Sequence, residues 1–268
     1  MPGLAPRGQV ADAGALARYY DLDLGEEDPG DLDMYLALAD ATDGTVLELM
    51  AGSGRIAVPL AAAGHEVVAV DTDTQMLGRA AARWQRRSDR APSASLELVE
   101  ADATNLRLKS RFSLVLVALN GLLLLDGREP QLALMKVAAR HVRRNGRAVF
   151  DVWLPTPEDL VLYDGRLVLD WVRDDAETGE HVAKTTSARY QPAARRAQVT
   201  SFFDAWHDGE PARRTVRHDS ISFVSAEELQ ALAHAAGLKV EQVGGDYEMG
   251  DFAPDSDRVV MVCRSLSG

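Results

Sequence analysis

The stretch Val46-Leu-Glu-Leu-Met-Ala-Gly-Ser-Gly-Arg55, followed by Val67-Val-Ala-Val-Asp71, carries the strongest local signal in the chain. The first run is short and apolar, passes through two close glycines and enters an Ala- and Leu-rich segment. That order predicts a strand, a tight turn and a helix. Gly64 is placed to close the helix as its C′ residue. The second run is apolar and rich in Val, as a strand buried on both faces should be, and it ends in a carboxylate. Asp73 fits the N-cap of the helix expected over residues 74–84 better than Asp71 does, which leaves Asp71 without a local structural task.

The alternation continues outward from this unit. Residues 96–99 and 112–118 read as strands, Pro130 opens a helix that Asn145-Gly146 ends, and residues 147–153 form a fifth strand. Strands alternating with helices imply a parallel sheet covered on both faces, a doubly wound α/β fold. The rhythm breaks after Trp153. Strand-like runs at 167–172, 181–190, 198–206 and 215–224, separated by Thr178-Gly179 and Asp208-Gly209, predict an antiparallel β insertion after the fifth strand. Ser225-Ala-Glu-Glu228 is a capping box for a helix ending at Gly237. Runs at 239–243 and 258–263 complete a seven-stranded mixed sheet. The first residues are rich in Gly, Pro and Asp and are expected to form a loosely held arm. Asp31 then reads as the N-cap of a helix with Met34, Tyr35 and Leu38 on one face. The expected organisation is an N-terminal arm or lid at 1–30, a core of 31–154 and 225–268, and a cap at 155–224.

Bulk composition narrows the function classes. The 41 acidic against 29 basic residues give a net charge of −12, a sign that repels phosphate backbones and argues against a nucleic-acid partner. Arg86-Arg87 and Arg213-Arg214 read as solvated surface. The lone cysteine, Cys263, lies in an apolar run and reads as a small core residue. Residues 1–10 lack the apolar stretch of a secretory signal, and the longest apolar run, 114–125, contains Asn120 and Gly121 and is too short to cross a bilayer. A cytoplasmic protein without a membrane partner is expected. The carboxylates are scattered and no His pair has zinc-site spacing, so no metal is expected.

Three strand ends converge chemically. Gly52 and Gly54 let the backbone approach a ligand, Asp71 ends the second strand where a carboxylate can hold both hydroxyls of a ribose, and Asp102 follows the third strand. In a doubly wound sheet these ends share the edge at which ligands bind.

These residues resemble the class I S-adenosylmethionine-dependent methyltransferases, which have a Rossmann-like core, and the resemblance runs from about Tyr19 to the C-terminus. Glu48-Leu-Met-Ala-Gly52-Ser-Gly54 is similar to the family's first motif, with Met50 in place of its usual first glycine. The resemblance implies that Glu48, Ala51, Gly52 and Gly54 hold the methionine moiety of S-adenosyl-L-methionine and that Asp71 takes its ribose. It further implies Thr72 and Met76 beside the adenine, Asp102 and Ala103 at the adenine amino group, and Leu119 and Asn120 bordering the sulfonium. Tyr19-Tyr20-Asp21 resembles the aromatic lid of the small-molecule branch, with Tyr20 over the cofactor. A staple packing the arm onto the core is the structural alternative for both tyrosines. Tyr19, Asn120, Trp153 and Tyr247 are the candidates for the acceptor pocket, and no catalytic base stands out. His207 and His218 fall in the insertion and read as solvated strand residues.

The activity so implied is methyl transfer to a nitrogen or oxygen of a small-molecule acceptor. An RNA or protein acceptor is a second reading, which the net charge disfavours for RNA. A nicotinamide-dependent oxidoreductase is a third, in which Ala57 would stand for the last glycine of G-x-G-x-x-G. A scaffold that binds the cofactor without catalysis is a fourth. The sequence leaves a homodimer open.

Overall fold

A computed structural model of the chain describes residues 13–24, 30–42, 44–87, 89 and 91–266. The core is a seven-stranded sheet built from β1 (Val46–Leu49), β2 (Glu66–Asp71), β3 (Ser95–Glu100), β4 (Phe112–Val117), β5 (Val142–Trp153), β10 (Leu238–Gly244) and β11 (Arg258–Ser265). Its order is β10-β11-β5-β4-β1-β2-β3. The neighbours from β3 to β5 are parallel, and β11 runs antiparallel to both β5 and β10. β1 and β4 are buried along their whole length, as apolar strands in the middle of a covered sheet must be.

Helices α2 (Leu32–Asp40), α3 (Ala57–Ala62), α4 (Thr74–Arg86), α5 (Arg128–His141) and α7 (Ala226–Ala235) belong to this core. The side chain of Asp73 accepts from the backbone N–H groups of Gln75 and Met76, so Asp73 caps α4 as expected. The capping box of Ser225 and Glu228 opens α7. Between β5 and α7, after the short α6 (Pro157–Val161), β6 (Asp164–Asp175), β7 (Glu180–Gln191), β8 (Arg196–Trp206) and β9 (Arg213–Ser222) form a separate antiparallel sheet in simple sequential order. Among the described residues no helix is long and apolar enough to cross a membrane.

Three local expectations are corrected. Part of the Gly- and Asp-rich N-terminal segment is not a loose arm: α1 (Ala13–Leu24) is a two-sided clasp. Asp21 pairs with Arg79 of α4, while Asp23 accepts from Trp171 Nε1 at 2.7 Å and Lys184 Nζ at 2.6 Å in the second sheet. Residues 1–12 and 25–29 of the expected arm lie outside the described residues. Asp31 precedes α2 but makes no side-chain cap; its fully buried carboxylate forms a two-pronged pair with Arg55, both contacts 2.6 Å. Finally, α5 ends at His141, and Asn145-Gly146 lies inside β5, where the register with β4 slips. Turn-forming residues here mark an irregularity in a strand, and the Cβ that Gly146 lacks would come within 2.6 Å of the Ser113 carbonyl oxygen.

Candidate active site

The carboxyl ends of β1, β2 and β4 surround a hollow of about 250 Å³. Its floor is the turn after β1. Met50 has φ +60°, Gly52 +55° and Gly54 +72°, so the chain turns through successive left-handed positions. The two glycines do different work. A Cβ on Gly52 would enter the hollow, its nearest neighbours being Tyr20 ring atoms at 3.9 Å. A Cβ on Gly54 would meet the Ala80 Cβ at 2.9 Å, so this glycine lets α4 pack against the turn. Met50 carries the steric cost of a left-handed conformation with a side chain, and it lines the hollow.

Asp71, at the end of β2, accepts from the Gly52 N–H at 2.8 Å and the Asp73 N–H at 2.9 Å, which ties two strand ends together. Glu48, the third residue of β1, is only 3% exposed. Burial lifts its carboxyl to about 8, against the pull of the Arg55 guanidinium and the Ala57 N–H. Its Oε2 is buried without a hydrogen-bond partner. An orphaned carboxylate oxygen is costly, and a cationic donor in the hollow would relieve it.

The two tyrosines divide the roles open to them. Tyr20 lines the hollow, and burial raises its hydroxyl above the usual range. Tyr19, an expected acceptor contact, is instead fully buried and stacked on Phe203 of β8 with ring centroids 4.9 Å apart. It is the staple, and its side chain does not reach the hollow.

Thr72, Met76, Ala51 and Leu119 also line the hollow. Asp102 and Ala103 do not. The Asp102 carboxylate accepts from the Thr104 N–H and hydroxyl and from the Asn105 amide, and Ala103 is buried in the core cluster. Asn120 adopts φ +65°, and its Oδ1 accepts from the Trp153 N–H at 2.6 Å. Behind it, the buried Asp151 takes Arg258, the hydroxyls of Tyr35 and Tyr247, and the Leu119 N–H. Burial raises the Asp151 carboxyl and Arg258 opposes the rise. Asp151 and Tyr247 therefore brace the strained Leu119-Asn120 turn rather than line the hollow.

Several residues that line the hollow are absent from the sequence expectations, Arg55, Gly121, Leu124 and Arg217 among them. Arg55 directly follows Gly54 and is held by Asp31; its position beside the turn is a usable signal. Gly121 and Leu124 come from the turn after β4. Arg217 reaches the hollow from β9 of the second sheet, paired with Asp219 at 2.8 Å, and no local pattern announces it. His207 is exposed and His218 lies beside the Thr200 hydroxyl, both as strand-side surface residues. Cys263 is a buried thiol, pushed up to about 12 by burial.

A second cavity of about 550 Å³ lies beside the end of β5 and the start of α7, with Leu154, Leu160, Tyr190, Phe223 and Phe252 among its walls.

Comparisons with known proteins agree with this geometry. Residues 46–146 match the model of a methyltransferase domain. The chain is 29% identical over 219 residues to the cypemycin N-terminal methyltransferase of a Streptomyces species, covering 81% of this chain and 82% of that one. Among solved structures, the CcbJ methyltransferase of Streptomyces caelestis superposes with a TM-score of 0.71 at 23% identity, covering 90% of this chain and 98% of its own. The sugar N-methyltransferase KedS8 of a Streptoalloteichus species does so with a TM-score of 0.72 at 17% identity, covering 99% of this chain and 98% of its own. The structures share the fold, the domain match spans the glycine turn through the start of β5, and together the comparisons support an S-adenosylmethionine-dependent methyltransferase.

Proposed function

We propose that the hollow holds S-adenosylmethionine and that the enzyme methylates a nitrogen or oxygen of a small-molecule acceptor. The observation that carries this reading is the buried, unpartnered Oε2 of Glu48 at the wall of the hollow. It suits the amino group of a methionine moiety, and the guanidinium of Arg55, two of its donors already fixed by Asp31, suits the carboxylate. Gly52 leaves the Ala51–Gly54 turn open to the same moiety. The Asp71 carboxylate has two backbone donors and lone pairs remaining for the ribose hydroxyls. Thr72 and Met76 supply the flank of the adenine. Asp102 and Ala103 belong to its far end, where Asp102 would share lone pairs now turned toward Thr104 and Asn105. Tyr20 closes the methionine side, and Leu119 and Asn120 border the reacting sulfur.

Bound there, the cofactor supplies a methyl group already activated by a positive sulfur, so the protein's contribution is alignment and exclusion of water, on the order of 7–11 kcal/mol in well-ordered cases. The β6–β9 sheet serves as the cap that excludes water. Among the described residues, the carboxylates lining the hollow are Glu48, Asp71 and Asp73. Asp71 accepts from two backbone amides, Asp73 caps α4, and Glu48 is assigned to the cofactor. A hydroxyl acceptor requires a base, whereas an amine need only arrive neutral, so nitrogen is favoured. The names of the relatives, an N-terminal methyltransferase and a sugar N-methyltransferase, support the same acceptor atom and a small acceptor. A cytoplasmic location belongs to this reading.

Titration calorimetry with S-adenosylhomocysteine tests the assignment. Glu48→Gln should weaken binding by at least about tenfold, because the cationic donor loses its charged acceptor. Unchanged affinity refutes it.

A further inference from the structure

Arg217 is the lining residue of the hollow that comes from the second sheet; the others belong to α1, to the core strands, or to the turns and helices that follow them. The register of β9 explains its position. Arg217 is paired with Ser201 of β8, and Thr215, two residues earlier and so on the same face, is paired with Phe203. Phe203 carries the Tyr19 ring. α1 therefore lies on the face from which Arg217 projects, and the residue after Tyr19 is Tyr20, which lines the hollow with Arg217.

The charged groups collect at this end. The Tyr20 ring and hydroxyl lie 3.9 Å from the position a Gly52 Cβ would take. Burial raises the Tyr20 hydroxyl, Arg55 and Arg217 both oppose the rise, and Glu48 adds to it, so one hydroxyl senses all three charges. Among the lining residues the cations are Arg55 and Arg217. Arg55 gives a donor of each Nη to Asp31. Arg217 is held differently: its Nε donates to Asp219 at 2.9 Å, and among the described residues its Nη groups make no hydrogen bond. Its side chain is 30% exposed, which leaves those groups accessible to a ligand. A planar guanidinium with open Nη donors matches a carboxylate. An amino-acid moiety carries its ammonium and its carboxylate on one carbon. With the ammonium at Glu48, the carboxylate falls at the end where the two guanidiniums stand.

We propose that Arg217 is a cofactor-binding residue supplied by the second sheet, its Nη groups taking the methionine carboxylate together with Arg55, so that the bound cofactor clips this sheet to the core. The inference rests on the assignment of the hollow to S-adenosylmethionine. The sheet that covers the hollow is then held there by the ligand it covers.

Two probes isolate the carboxylate: S-adenosylhomocysteine and its decarboxylated counterpart, which keeps the amine. Both are titrated by calorimetry into the full-length protein. Arg217→Gln should weaken S-adenosylhomocysteine by about tenfold and leave the decarboxylated ligand within about twofold. Arg217→Lys keeps the charge but loses the fork, and as the milder variant it should show the same selectivity at about threefold. Glu48→Gln should instead weaken both ligands, because both carry the amine. Hydrogen exchange reads the clip: S-adenosylhomocysteine should slow amide exchange in β8 and β9 of the wild type and do so far less in Arg217→Gln. Equal weakening of the two ligands, unchanged affinity for both, or full protection of β8 and β9 in the variant overturns the proposal. Failure of S-adenosylhomocysteine to bind the wild type is a different result, which removes the cofactor assignment itself.

Discussion

The smaller hollow and the larger chamber are built by opposite means. The hollow draws most of its walls from two contiguous segments, 48–56 and 71–76, and much of its shape is backbone: left-handed turns, an N–H given to Asp71, a missing Cβ at Gly52. The chamber is side chains from segments far apart in sequence, 154–160, 190–195, 223–227 and 252–254. A site made of backbone needs particular residue types at fixed spacing, whereas one made of side chains needs only apolar bulk from whichever loops arrive.

The adjacent tyrosines of α1 test whether the two constructions are separable. Tyr19 is fully buried against Phe203 of the inserted sheet and Tyr20 faces the hollow. Tyr19→Ala should cost about 3–5 kcal/mol, the usual range for removing a large buried ring. Differential scanning calorimetry would show this as the largest fall in Tm of any substitution considered. Tyr20→Ala should lower Tm less and weaken S-adenosylhomocysteine more. Equal profiles for the two would mean that α1 responds as one body and that the hollow depends on the inserted sheet for its shape.

Glu48 gives a pH signature to the hollow alone. Its folded carboxyl sits at about 8, above its ordinary value of 4.5, so the folded state favours the protonated form. Its contribution to stability is therefore fully present below pH 4.5, declines as pH rises, and is lost above about 8. The decline amounts to a few kcal/mol, since each tenfold difference in proton affinity between the folded and unfolded chain corresponds to about 1.4 kcal/mol. Glu48→Gln should remove it from a plot of stability against pH. A decline of the same size in the variant would assign it elsewhere. In the wild type, S-adenosylhomocysteine should restore more stability above pH 8 than below it, because an ionised Glu48 then gains its partner.

Asp71→Ala should weaken the cofactor analogue by at least about tenfold, through two ribose hydroxyls left without an acceptor. The same substitution releases the Gly52 and Asp73 amides, so a Tm loss should accompany it. Asp71→Asn separates the effects: the amide oxygen can still accept from the backbone, so Tm should recover further than affinity does. Affinity that recovers fully would remove the charge from the argument.

This contrast also explains which features are legible in the sequence. The alternation of strands and helices, the capping box at Ser225, the cap of α4 at Asp73 and the four strands of the insertion follow from local periodicity and turn chemistry, and all of them can be read there. The helix α1 cannot, because flanking Gly, Pro and Asp mask a segment whose order comes from partners far away, Arg79, Trp171 and Lys184. Asp31 resembles a cap since its short-range position allows one, but its buried carboxylate is taken by the pair with Arg55 instead. Arg217 and the chamber have no local signal at all. Neither does the division of labour between Gly52 and Gly54, which depends on how closely α4 approaches the turn.

Met50 offers the smallest and most local test, since it is the one place where the turn departs from glycine. A non-glycine residue at φ +60° carries about 1–2 kcal/mol of steric cost. Met50→Gly relieves that strain, but the unfolded chain gains freedom and the packing of the Met50 side chain against the core cluster is lost. These effects nearly cancel, leaving a change in Tm of about 2–4 °C or less, the response of a domain this size to 1 kcal/mol. Cofactor affinity is the sharper readout. If the turn is held in its curved form by its hydrogen bonds and by Asp71, glycine there should leave affinity within about twofold, because the backbone shape is already set. A large gain in affinity would mean that Met50 keeps the turn away from its binding shape, and a large loss that its side chain, lining the hollow, is itself part of the cofactor's wall.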